Sequence, residues 1–430
     1  MDYSESSKWY LELEKLGSKP GLEVISKLLE SLDFPQYKFH SVHVTGTNGK
    51  GSTSAMIAAI LQASGYHVGL FTSPHLSTWR ESIRVDGEMI NKENSTTLLN
   101  RIKPISEQIE LIIRHPTQFE VLTAMAFTYF AMQHVDFAVV EVGMGGRLDA
   151  TNVLKSEVAV ITNVSLEHTN WLGDTVIKIA REKAGIIKPR CSVVTATNDE
   201  SVYNLILLKA KENNASVVRV GTDVTYFEKY SDFYGQTFQV NGKLGIYELE
   251  TPLIGEFQVV NTATAIAVIE ELVRRGFKVM TEAIITGIKN VHWPGRLEII
   301  QHSPTVIIDG AKDAEAAKSL RRSIEKLPHK KIIAVIAISS DKNIPAMVKE
   351  IAAPATLIIA TSHRVLHRTA DPALIAAEAL KQGKNVKIIP NSILAIKKAL
   401  ELAESDDIIL ITGSVFLAGE AREYWYPVDD

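Results

Sequence analysis

Cysteine is nearly absent: Cys191 is the only one in 430 residues. A lone thiol excludes an intramolecular disulfide framework and a cysteine-built zinc site, and it fits a reducing compartment. Charge of one sign is scarce too. Lysine plus arginine (46) nearly cancel aspartate plus glutamate (50), leaving −4, so no global basic field favours nucleic acid. No apolar run reaches the roughly 20 residues of a bilayer-spanning helix. The opening MDYSESSKWYLELEKLG lacks the basic-then-apolar order of a secretory signal. Low-complexity tracts and short-period repeats are missing as well. The expectation is a cytoplasmic globular protein that binds neither nucleic acid nor membrane. Its apolar (46%) and charged (22%) fractions are ordinary for one, and its length suits two or three domains.

What is present is an alternation of short apolar strands with helical patterns. KFHSVHVT (38–45), HVGLFTS (67–73), FAVVEVG (137–143), EVAVITNV (157–164) and SVVTAT (192–197) are β-branched and apolar, as buried strands of a mostly parallel sheet are. Helical stretches at 116–134 and 174–186 lie between them, which predicts a doubly wound α/β domain. Residues 216–252 change character. SVVRV, VTYFEKY, TFQVNGKLGIYELE and the pair Asn241–Gly242 predict β-hairpins, hence a small antiparallel insertion. Helices are expected at 258–275 and 280–289. After HWPGRLEII (292–300) the alternation restarts, with strands TVIIDG, KIIAVIAI, ATLIIAT, NVKIIP and DIILITGS. That predicts a second, smaller Rossmann-like domain hinged at Pro294–Gly295. The expected division is residues 1–293 and 297–430. Ligands of such sheets bind beyond the strands' carboxyl ends, so the interdomain cleft is the expected site.

VHVTGTNGKGSTSAMIAAIL (42–61) sets three glycines and a lysine between a strand and a helix. In the loop formed by Gly46, Thr47, Asn48, Gly49, Lys50, Gly51 and Ser52, the glycines let the backbone turn tightly and aim N–H groups at phosphate oxygens. Lys50 adds a point charge, and the following helix adds its positive end. The usual phosphate loop reads G-x-x-x-x-G-K-[ST]. Here Gly51 follows the lysine, so the cation-facing hydroxyl falls to Ser52 or later. An empty Gly-rich turn is the plainer reading; a strand before and a helix after favour phosphate.

Taken singly, other polar residues read two ways. Glu141, ending a buried strand, reaches a ligand or bonds its own loop. His168 is a metal-competent imidazole or a satisfied histidine at a helix start. Ser73 can simply cap the Pro74 turn. Lys183, beside Ala184, Ile186 and Ile187, reads by composition as a snorkelling surface lysine. Asn261 suits a helix cap or a helix-face amide. Arg296 and Asp309 suit surface polar positions.

GTNGKGS resembles the loop of the Mur ligase superfamily, specifically of the folylpolyglutamate synthase/dihydrofolate synthase family. TSPHLSTWRESIRVDG (72–87), EVGMGGRLDATN (141–152), EHTNWLGDT (167–175), REKAGIIKP (181–189), HWPGRLE (292–298), IDGAKDAEA (308–316) and ITGSVFLAGEAR (411–422) follow in that family's order. The resemblance implies a P-loop ATPase domain with a small β insertion, followed by a Rossmann-like domain. It implies an ATP-dependent ligase adding L-glutamate to a folate, to dihydropteroate, or to both. The route is an acyl phosphate, with ADP and phosphate released. It also implies roles. Ser73, Glu141 and His168 would contact Mg²⁺, and a carbamylated Lys183 would hold a second Mg²⁺. Asn261 would read adenine, Asp309 would lie near the ribose, and Arg296 would clamp phosphate on closure. Lys50, His168, Lys183 and Arg296 form the implied catalytic set, in a monomer.

The loop at 72–87 is expected near the pterin end, with Trp79 either stacking on it or anchoring the loop. His363, Arg364, His367 and Arg368 either bind glutamate's carboxylates or form a solvated loop. The chain departs from the family pattern D-G-A-H-N-P, reading Asp309, Gly310, Ala311, Lys312, Asp313, Ala314. It also carries Glu167 and Asn170 where aspartates are common, and Phe257 where histidine is frequent. Three competing readings follow. A Mur-type ligase for another carboxylate is disfavoured by the lack of an added N-terminal substrate domain. A folate- or nucleotide-binding paralogue is motivated by Lys312 and Asp313. A P-loop kinase or switch leaves the second domain unexplained.

Overall fold

Eight strands make the first sheet in the computed structural model, which describes residues 1–428. In chain order they are β1 (His40–Thr45), β2 (Val68–Phe71), β3 (Ile83–Val85), β4 (Glu88–Met89), β5 (Phe137–Glu141), β6 (Val158–Ile161), β7 (Ser192–Thr195) and β8 (Ser216–Arg219). Their spatial order is β4-β3-β2-β5-β1-β6-β7-β8. The pairs from β2 to β8 are parallel, and β3 and β4 add an antiparallel edge. Successive residues face opposite layers. In β5, Phe137 and Val139 pack with Val42 and Val44 against helices Lys50–Ala63 and Glu256–Arg274, while Ala138 and Val140 pack with Phe127 and Phe130 on the other side. Each such side chain, fully buried, stabilises the fold by about 1.5–3 kcal/mol.

The far layer includes helices that the sequence pattern did not announce: Tyr3–Glu12, Glu23–Ser31 and Lys92–Glu110. It also holds the anticipated Gln118–Met132 helix, apolar on nearly every face and therefore buried. Thr117 and Glu120 close a capping box there, and Arg114 grips Glu120 through two bonds of 2.9 Å.

The insertion is smaller than expected. Residues 216–219 pair parallel with β7 as the sheet's edge because they follow helix Glu200–Glu212, a crossover that returns the chain alongside β7. The antiparallel part is β9 (Thr225–Ser231), β10 (Gln236–Asn241) and β11 (Ile246–Thr251). Glu270, on the helix behind, accepts from Lys243 N, Leu244 N and the Tyr247 hydroxyl at 2.7–2.9 Å and fixes that hairpin.

The second sheet comprises β12 (Glu298–His302), β13 (Thr305–Ile308), β14 (Ile332–Ile336), β15 (Leu357–Ala360), β16 (Asn385–Ile388) and β17 (Ile408–Thr412), ordered β12-β13-β17-β14-β15-β16. Only β12 runs antiparallel. It is a Rossmann-like α/β sheet with helices on both faces. Among the described residues, no helix is long and apolar enough to cross a membrane.

Candidate active site

The carboxyl ends of β1, β5 and β6 share one edge of the first sheet, and each delivers polar residues there. β1 runs into the Gly-rich loop. Gly49, with φ +83°, caps helix Lys50–Ala63, and a Cβ there would stand 2.3 Å from Asn261 Oδ1. Gly51 is explained by packing, since a Cβ would meet Trp293 Cζ2 at 2.8 Å. The loop is held from β6: Thr162 Oγ1 donates to Asn48 O (2.7 Å), Asn48 N donates to Asn163 Oδ1 (2.8 Å), and Ser165 N donates to Thr47 Oγ1 (3.0 Å). Lys50 Nζ folds back onto Gly46 O (3.0 Å) and Thr47 O (3.2 Å).

Two cavities open at this edge. One, of about 910 Å³, is lined by Thr47 to Ser52, Glu141, Asn261, Arg296 and Asp309. The other, of about 590 Å³, is lined by Phe119, Asp149, His168, Trp171, Lys342 and Phe416 among others. Both have the size of small-molecule sites. Among the described residues, Ser73, Pro74 and Lys312 alone line both.

The anticipated residues fall into distinct settings. Glu141 is buried and accepts from Ser73 N at 3.2 Å; burial raises its carboxyl above the usual range, against the pull of Lys50. His168 sits on the other cavity, with φ +46°. Burial and the neighbouring lysines, opposed by Glu167, lower it to about 4, so it is neutral at physiological pH. Asn261 lies in the second turn of its helix, with Nδ2 donating to Gln258 Oε1 (2.9 Å). Both Asp309 oxygens accept from backbone, Leu297 N (2.9 Å) and Ala311 N (2.7 Å), tying the hinge to the second sheet. Arg296 Nη1 donates to Gly295 O at 2.9 Å on the cavity wall. Asp313 caps its helix and accepts from Asn48 Nδ2 at 3.3 Å, joining the Gly-rich loop to the second domain.

Lys183 is no surface lysine. It is 1% exposed, with Nζ donating to Gly46 O (2.8 Å) and to Glu167 Oε1 (2.6 Å). Burial lowers Lys183 to about 8. Burial opposes ionisation of Glu167 too, but Lys50 and Lys183 overcome it and hold that carboxyl at about 2. The pair is therefore ionised at neutral pH. Composition missed it because Glu167 reaches Lys183 only through the fold.

Trp79 anchors the loop. It is 3% exposed, its ring centroid lies 4.7 Å from Tyr10, and Nε1 donates to Ser7 Oγ at 3.1 Å. Trp79→Ala should cost about 3–5 kcal/mol of stability, read by urea unfolding; a raised substrate KM with unchanged stability would contradict the anchor role. The exposed aromatic on the second cavity is instead Trp171, 56% exposed. Of the basic cluster, only His367 and Arg368 line that cavity, with Lys342 beside them. His363 is buried against Ser339. Arg364 pairs with Glu423 and donates to Leu76 O and Ser77 O at 3.4 Å, tying the second domain to the 72–87 loop.

Comparison with known proteins finds two family domains in the chain. Residues 44–269 match the Mur ligase middle domain, and residues 295–415 match the Mur ligase glutamate ligase domain. The dihydrofolate synthase/folylpolyglutamate synthase of Bacillus subtilis is 35% identical over 98% of this chain and 98% of its own length. A probable bifunctional folylpolyglutamate synthase/dihydropteroate synthase of Halobacterium salinarum is 34% identical over 99% of this chain, which spans only 52% of that relative. The structure of Mycobacterium tuberculosis folylpolyglutamate synthase complexed with ADP and AMPPCP covers 100% of both chains at TM-score 0.91 and 32% identity. The chain belongs to the folylpolyglutamate synthase/dihydrofolate synthase family of the Mur ligases.

Proposed function

We propose that this protein is an ATP-dependent ligase that joins L-glutamate to the carboxylate of a folate, of dihydropteroate, or of both. The observation that carries the reading is the pair of cavities, one walled by the phosphate loop and one by aromatics and cations, meeting at Ser73, Pro74 and Lys312. ATP fits the first, with Asn261 toward the base and Lys50 and Arg296 toward the phosphates. The acceptor fits the second, where Phe119, Trp171 and Phe416 suit an aromatic ring system. Lys342, His367 and Arg368 suit the carboxylates of the incoming glutamate.

The donor set on the nucleotide wall fits Mg²⁺. Glu141 is a buried carboxylate with one backbone donor, Ser73 N, and both residues line the cavity; Mg²⁺ on a nucleotide needs few protein ligands. When bound, the ion neutralises phosphate charge. Among the described residues no cluster of three or more acidic, histidine or cysteine side chains is preformed. Carbamylation of Lys183 would place an anion beside Glu167 and His168, a donor set for a second ion. Lys50 and Arg296 would stabilise the transferring phosphoryl group, and closure of the second domain would exclude water from the acyl phosphate. The reading carries with it a cytoplasmic monomer acting on small molecules.

The test is phosphate release from ATP and Mg²⁺ with L-glutamate plus either dihydropteroate or a reduced folate, with mass detection of product. A product one glutamyl unit heavier than its acceptor is expected. No release with either acceptor, while ATP still binds, would overturn the reading.

A further inference from the structure

Lys312 stands where the two cavities join, on the loop between β13 and helix Ala314–Glu325. It is half-buried, and among the described residues its ammonium makes no hydrogen bond or ion pair. The charges that act on it come from the first domain and the hinge: Lys50, Glu167, Arg296 and Glu141. It acts in turn on Glu141 beside the nucleotide cavity and on His168 beside the other. Burial, with Lys50 beside it, lowers it only to about 8, so it stays a cation at neutral pH. A half-buried cation with no anion bonded directly to it is costly unless a ligand supplies one.

We infer that Lys312 is a catalytic residue of the phosphoryl-transfer step, its ammonium bridging the acceptor carboxylate and the γ-phosphoryl group and then holding the acyl phosphate. The inference rests on the ligase reading above. In that step a carboxylate oxygen attacks the γ-phosphorus, and the bond to the β–γ bridging oxygen breaks. The electron pair leaves on ADP, and total charge is unchanged. In the next step the amine nitrogen of glutamate, in its unprotonated form, attacks the acyl carbon and gives up a proton to the departing phosphate. The acyl C–O bond breaks, and phosphate departs with the electron pair. Both steps bring anionic groups together at the one junction where Lys312 is the shared cation. Lys50 and Arg296 line the nucleotide cavity alone. A lysine meets phosphate as a compact point charge with three rotatable donors, so it can follow the group as it moves from one oxygen to the other.

Lys312→Met and Lys312→Arg separate this role from a packing role. For the wild type, product formation and scrambling of oxygen label between the β–γ bridge and the β non-bridging positions of ATP, in the presence of acceptor but without glutamate, are measured first. No turnover by the wild type overturns the ligase reading itself. Given wild-type turnover, Lys312→Met should lower both kcat and the scrambling rate by about 10²–10³-fold, with ATP KM within about threefold. Lys312→Arg, which keeps the cation, should recover at least tenfold of that loss. A packing role predicts the opposite order, because methionine is the closer apolar match and arginine the bulkier intruder. Met equal to or better than Arg, or Met within threefold of the wild type, overturns the proposal while leaving the ligase reading intact. The order of the two variants decides even if both are less stable than the wild type.

Discussion

Lys50→Ala should reduce product formation by about 10²–10³-fold in kcat, the usual effect of removing one charged donor from developing phosphate charge. In the present structure Lys50 spends its ammonium on the carbonyls of Gly46 and Thr47. Both belong to the loop whose N–H groups would face phosphate, so the lysine is stored beside its place of use. Swinging from carbonyl to phosphate exchanges two neutral acceptors for an anionic one, which is a net gain. Stability should change little, by about 1–2 kcal/mol, because Gly46 O keeps the Lys183 ammonium as a donor and only the weaker bond to Thr47 O is left without a replacement. Lys50→Arg should rescue poorly: the planar guanidinium cannot pack as a point charge over so tight a loop. Single-turnover measurement of ADP formation, beside a melting curve, checks both halves. An alanine variant that loses activity only through loss of folding would contradict the assignment.

The architecture was legible because both sheets are built from short β-branched runs separated by helical periods, and in a parallel sheet that pattern alone dictates layering. Partnering was not. The sequence of residues 216–219 reads equally as part of the hairpins, because a short apolar strand says nothing about which neighbour it pairs with; the helix before it decides. The Gly-rich turn from β1 into helix Lys50–Ala63 could be read from spacing, since glycines, lysine and following helix are contiguous. Glu167 and Lys183 could not. Each looks like a surface charge, and their partnership exists only because the turn after β6 folds back over the helix Val176–Ala184. Trp79 and Trp171 show the same limit. Both stand in polar stretches of sequence, yet one is buried against Tyr10 and the other stands exposed at a cavity. The four basic residues of SHRVLHR divide likewise. Loop sequence tells which charges are present, while the directions of His363 and Arg364, inward and toward the 72–87 loop, are set by Ser339 and Glu423.

The Glu167–Lys183 pair makes stability depend on pH and on bicarbonate. With the lysine 1% and the glutamate 10% exposed, Glu167→Gln leaves a nearly buried ammonium without its counter-charge. In bicarbonate-free buffer at pH 7 the variant should lose about 3 kcal/mol, the lower end of the range for breaking a buried pair, since the amide oxygen still accepts one bond. Acid should reveal the same interaction. The carboxyl sits at about 2 in the fold against 4.5 ordinarily, so its contribution is complete above pH 4.5 and fades as the pH falls toward 2. The wild type should therefore lose stability across that window, and Glu167→Gln should lack this part of the loss. Lys183, at about 8 in the fold against 10.5, acts on the alkaline side: stability should rise between pH 8 and 10.5 as the unfolded chain keeps the extra proton. Bicarbonate then tests carbamylation by sign. Against an ammonium, losing the Glu167 charge destabilises; against a carbamate it removes a repulsion. Added bicarbonate should therefore narrow the gap between wild type and Glu167→Gln, and a gap that stays constant would argue against an acidic group on Lys183. Replacing both members, by Glu167→Leu with Lys183→Met, should recover most of the stability without recovering activity. That outcome would separate the pair's work in the fold from its place beneath the Gly-rich loop.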